Sequence, residues 1–146
     1  MPGRRVTMHP GIRPALVRHA RRERPRECCG LLVGRGRHVA FVVAADNLES
    51  SASRFRVDDR AHIALRRALR GFTPELAVIG AYHSHPRGRA RPSERDVRES
   101  MYPDWIHVII GLAGRAPEIR AFTLARGRST PLPIRWRASA ASRAGR

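Results

Sequence analysis

The chain has 146 residues, of which 29 are arginine and none lysine, against 12 acidic side chains, giving a formal charge of +17. That length suits one domain, and 42% hydrophobic residues are enough to build a buried core. The longest apolar runs, such as Val39 to Ala45, fall far short of the roughly 20 residues of a bilayer-spanning helix, so no membrane segment is expected. The basic N-terminus lacks an apolar stretch with a small-residue cleavage site, and the expected compartment is the cytoplasm. The arginines are spread along the whole chain and glutamine is absent too. This fits the codon bias of a GC-rich genome better than a phosphate-binding face, so nucleic acid is not an expected partner.

In chain order, Ile12, Ala15, Leu16, His19 and Ala20 follow helical spacing between Pro10 and Arg24, and Pro25 stops the pattern. Two apolar runs, Cys28 to Val33 and Val39 to Ala45, flank a connection with two glycines and predict a hairpin. Adjacent Cys28 and Cys29 cannot form an ordinary structural bridge with each other and read as buried, reduced thiols. After a polar stretch, Phe55 to Val57 is a candidate strand extension. Asp58 and Asp59 then open a helix carrying Ile63, Leu65, Ala68 and Leu69 that ends at Gly71. Leu76 to Tyr82 reads as a buried strand, Ser93 to Met101 as a short helix, and Ile106 to Leu112 and Glu118 to Leu124 as two further strands. Pro131 to Trp136 is a last extended segment, and residues 137–146 form a small, basic tail expected to fray. Mixed strands and helices place the chain in the α/β or α+β class, around one central sheet.

His83 and His85 lie two apart at the end of a predicted strand, so their side chains project from one face while Ser84 points to the other. Paired neutral imidazoles are a natural beginning for a zinc site. Asp96 follows His85 with ten residues between, at the start of the helix after Pro92. Three protein ligands with a fourth position left open are the mark of a catalytic rather than a structural zinc. A competing reading makes Ser93 and Asp96 a capping box, with the serine as N-cap. That reading leaves the two upstream histidines unexplained. A zinc deaminase is excluded, because its His-x-Glu becomes His83-Ser84-His85 and no Pro-Cys-x-x-Cys follows.

The run His83, Ser84, His85, Pro86, then Ser93 and Asp96, preceded by a distant Glu27, resembles the JAMM signature of MPN-plus (JAB-domain) metallopeptidases. Glu27 to Gly30 is similar to that family's Glu-x-Cys-Gly strand start, and Asn47 to Phe55 to its Asn, Ser and Phe segment. The likeness runs from about Thr7 to Gly127. It implies a single MPN/JAB domain over residues 1–136, a central mixed sheet flanked by helices, with a cytidine-deaminase-like architecture. It also implies one Zn²⁺ held by His83, His85 and Asp96, with Glu27 as general acid/base and Ser93 as oxyanion donor.

The activity implied is that of a zinc-dependent peptidase or isopeptidase. It would cut after the C-terminal glycine of a ubiquitin-like protein or a β-grasp sulfur carrier with a Gly-Gly tail, releasing cysteine or another amine. Arg87, Arg89 and Arg91, in the loop between the ligands, are candidate substrate-binding residues that would gate the channel or meet an acidic carrier. The alternatives are a non-catalytic MPN scaffold, against which the complete motif argues, and a JAB-type protein linked to nucleic-acid metabolism, which no helix-turn-helix or zinc-finger pattern supports.

Overall fold

The computed structural model describes residues 4–49, 58–72 and 75–138. The expected strand extension at Phe55 to Val57, the segment Ser50 to Phe55 and residues 139–146 of the tail lie outside them. The elements, in order, are β1 (Val6–Met8), α1 (Ile12–Arg22), β2 (Cys29–Arg35), β3 (His38–Ala45), α2 (Asp59–Leu69) and β4 (Ala77–His85). They continue as α3 (Glu94–Glu99), β5 (Ile106–Gly111), β6 (Glu118–Ala125), β7 (Arg128–Leu132) and β8 (Ile134–Trp136). None of the described helices is long and apolar enough to cross a membrane.

The strands form one eight-stranded sheet in the order β7-β6-β5-β4-β2-β3-β1-β8. It is mixed, with β4 parallel to β5, and β1 parallel to both β3 and β8, while the remaining pairs are antiparallel. The predicted hairpin is β2-β3, turning at Gly36, whose φ of +58° suits a residue without a side chain. The single extended segment expected over Pro131 to Trp136 divides at Pro133 into β7 and β8, which occupy opposite ends of the strand order. One residue joins the two outer strands, so the sheet must curl until its edges meet.

Alternation along the strands sorts the core onto two faces. On one face Ile12, Leu16 and Ala20 of α1 pack with Leu32, Tyr82, Val108 and Ile110. On the other, Leu65 and Leu69 of α2 pack with Leu31, Val33, Val78 and Ala81, and Val97 of α3 packs with Ile109, Phe122 and Leu124. Ile63 stands apart from this apolar seam and is 52% exposed, since Leu65 and Leu69, four apart, already define the face α2 turns inward. Between α2 and α3 the sheet stays uncovered over β4 and β5, and the site lies in that gap.

Candidate metal centre and its cavity

β4 runs past the predicted end at Tyr82 to His85, so His83 and His85 are both strand residues with side chains on the α2–α3 face. Their Nε2 atoms are 3.2 Å apart. Asp96 Oδ2 lies 3.1 Å from that of His83 and 3.3 Å from that of His85. Tetrahedral zinc with ligands at about 2.0–2.1 Å would space them about 3.3–3.4 Å apart, so two imidazole nitrogens and a carboxylate oxygen here fit zinc in both chemistry and spacing. The other nitrogen of His85, Nδ1, is 2.9 Å from the Arg89 carbonyl oxygen. A carbonyl can only accept, so Nδ1 carries a hydrogen and Nε2 is the nitrogen that faces the cluster. Burial pulls the pKa of His83 down against the hydrogen bond its ring donates to Asp96. Burial would raise that of Asp96, but its bonds to His83 and His85 outweigh this and hold the carboxyl far below its ordinary range.

The loop after His85 is folded back by backbone hydrogen bonds, close contact and the Glu118 carboxylate, which accepts from Ala90 N–H at 2.8 Å. Leu112 N–H donates to the His85 carbonyl and Ala113 N–H to that of Gly88. Gly111 must be glycine, since a Cβ there would stand 2.4 Å from the Ala90 backbone nitrogen. The loop delivers the chain to Ser93, and the capping box is formed: Ser93 Oγ accepts from Asp96 N–H at 3.0 Å, and Ser93 N–H donates to Asp96 Oδ2 at 2.8 Å. The capping box does not compete with the metal reading, because the oxygen that caps α3 is the one that faces the histidines.

Glu27 sits just ahead of β2, 7% exposed, and lines the same cavity as His83, Ser93 and Asp96. Its backbone is anchored on both sides. Asn47 Nδ2 donates to the Glu27 carbonyl at 2.9 Å, and Ser84 Oγ, on the far face of β4, accepts from Cys28 N–H at 2.8 Å. Burial pushes the Glu27 carboxyl up to about 7, with His85 and Arg95 pulling against it and Asp96 adding to it. Cys28 and Cys29 are buried and unpaired, and burial raises their thiols to about 11 and about 12, as inert core residues require.

The cavity measures about 580 Å³ and extends from this cluster along the gap between α2 and α3. Its far wall is aromatic: Tyr102 and Trp105 stack with ring centroids 3.9 Å apart, and His62 of α2 tilts against Trp105 at 5.4 Å. His107 and Arg95 add to the polar lining. Sequence reasoning did not single out these five residues. A signal was present for His107, the one polar side chain in the apolar run Ile106 to Ile110. Of the predicted substrate-binding residues, Arg87, Arg89 and Arg91 are exposed on the loop, outside the cavity lining, and Arg89 is paired with Glu118 at 3.6 Å.

A curled mixed sheet whose central strand carries His-x-His, with an Asp at the next helix start and a buried Glu in the same cavity, is the arrangement of a JAB-type domain with a candidate metal site. Residues 9–125 match the family described as prokaryotic homologues of the JAB domain, and the chain belongs to that family. Among its relatives is a probable TtuB-protein conjugate cleaving protease of Thermus thermophilus, 37% identical over 119 residues, 80% of this chain and 74% of that one. Another is a CysO-cysteine peptidase of Mycobacterium bovis, 33% identical over 129 residues, 82% of this chain and 83% of that one. The solution structure of a protein from Desulfitobacterium hafniense superposes with a TM-score of 0.82 and 29% identity, covering 92% of this chain and 94% of that one. A JAB1/MPN domain protein from Archaeoglobus fulgidus, at 18% identity, covers 91% of this chain and all of its own with a TM-score of 0.59, a likeness of fold.

Proposed function

We infer that the protein is a zinc-dependent peptidase that hydrolyses the bond after the C-terminal glycine of a ubiquitin-like or β-grasp sulfur-carrier protein, releasing cysteine or another amine. The observation that carries this reading is the convergence of His83, His85 and Asp96 within 3.1–3.3 Å of one another, with Glu27 buried in the same cavity. The names of the Thermus and Mycobacterium relatives support the substrate class.

His83, His85 and Asp96 would hold the metal, which supplies Lewis acidity to an acyl group and to water. Glu27 takes a proton from the attacking water onto its carboxylate and hands it to the departing nitrogen. A carboxyl raised to about 7 is suited to both transfers near neutral pH. Ser93 spends an oxygen lone pair on the α3 cap, which leaves its hydroxyl hydrogen to donate to the acyl oxygen as charge develops there. The aromatic wall and the sheet face below it give the cavity an apolar side opposite its charged groups.

The direct experiment incubates the zinc-loaded protein with a carrier bearing a single C-terminal cysteine and follows the carrier by mass spectrometry. The carrier is expected to lose one cysteine residue, and to keep it when a chelator has stripped the metal. A carrier of unchanged mass overturns the reading. Arg87, Arg89 and Arg91 belong to the same proposal as a docking rim for an acidic carrier. Replacing all three with serine is expected to raise KM and weaken its dependence on salt. Kinetics unaltered at both low and high salt would remove them from the carrier's path.

A further inference from the structure

The chain carries 29 arginines, yet Arg95 is the only one among the described residues lining the cavity. It sits between Ser93 and Asp96, the two residues that join the α3 cap to the metal cluster. Glu99, one turn on, holds the Nε edge of its guanidinium through both carboxylate oxygens at 2.9 Å. Nη1 is buried without a hydrogen-bond partner among the described residues. The side chain as a whole is 28% exposed and lines the cavity, and a carboxylate is the acceptor whose two oxygens fit a guanidinium fork. The charge is felt at the reacting centre, since Arg95 acts on the Glu27 carboxyl.

We propose that Arg95 binds the α-carboxylate of the amino acid leaving the carrier, so that this cavity prefers carriers ending in one free amino acid over isopeptide-linked conjugates. The inference rests on the peptidase reading above. When the leaving amine is an α-amino acid, its carboxylate lies within about 4 Å of the scissile nitrogen by covalent geometry alone. The other charged lining groups include Glu27, Asp59 and Glu99, which would repel it. A lysine side chain in an isopeptide brings no such charge and gains nothing from Arg95. In the reaction the acyl C–N bond breaks and a C–O bond to the water oxygen forms. Both water hydrogens end on the nitrogen, giving a carrier carboxylate and a zwitterionic amino acid.

The test compares two substrates built on one β-grasp sulfur carrier ending in Gly-Gly, extended either by cysteine or by cysteinamide, which lacks only the terminal charge. The wild-type kcat/KM is expected to favour the acid by roughly 10–100-fold, the scale of a charge-assisted bond. Arg95→Gln is expected to bring the ratio close to one, and Arg95→Lys to recover part of it. Because the readout is a ratio within each variant, a general loss of activity or stability does not mimic it. A wild-type ratio near one, with both adducts cleaved, overturns this inference and leaves the peptidase reading standing. So does a ratio that survives Arg95→Gln, or an equal loss on both adducts, which would move Arg95 to the carrier tail. Cleavage of neither adduct overturns both.

Discussion

Asp96 Oδ2 accepts from Ser93 N–H and faces His83 and His85 at once, so one oxygen caps a helix and completes the His-His-Asp cluster. The grouping of these three residues could be read from the sequence because their spacing follows from strand period and helix start. What the sequence hid were residues whose partners are distant in the chain. Ser84 is such a case: it is fully buried behind the histidines and ties β4 to the residue after Glu27, 56 positions upstream. Ser84→Ala would leave the Cys28 N–H buried without an acceptor, at a cost of about 1–3 kcal/mol. Thermal unfolding is expected to show the loss, together with a lower kcat at unchanged metal content, because Glu27 is displaced. A melting temperature equal to that of the wild type would contradict this role.

Among the elements, those with a clear period were legible. Ile12, Leu16, His19 and Ala20 of α1 are buried as the spacing predicted, and Asp58 caps α2 through its side chain to Arg60 N–H. β1 and β8 were not legible as separate strands, since three residues carry no period and each is held only by pairing with a strand far away in sequence. Pro133 marks the break between β7 and β8, but nothing local says that the two strands occupy opposite ends of the sheet. For α3, only six residues long, the cap carries much of the local stability. Its two roles can be separated. Ser93→Gly keeps an acceptable N-cap and is expected to cost only a few tenths of a kcal/mol in stability. It removes the hydroxyl donor, and kcat is expected to fall by roughly 10²–10³ with zinc retained. A variant with wild-type kcat would take Ser93 out of the chemistry.

At the scale of the molecule, the sheet curls so that its outer strands meet through Pro133. α1 covers one face, and the gap between α2 and α3 on the other becomes a cavity ending at the His-His-Asp cluster. The charge of +17, the first feature the composition presents, is mostly set outside this cavity, where Arg95 is the single arginine among the described lining residues. Aromatic residues of the wall, Tyr102 and Trp105, were not legible as a site because their function is to border a space that only tertiary packing creates. The central claim is that Glu27 moves the proton at a metal centre it does not itself bind. The most direct test is a paired measurement on the wild type and Glu27→Gln: bound zinc per chain, and loss of cysteine from a carrier–cysteine adduct by mass. The account predicts about one zinc in both proteins and release only by the wild type, with the variant slower by at least about 10²-fold. Release by Glu27→Gln at the wild-type rate would contradict it.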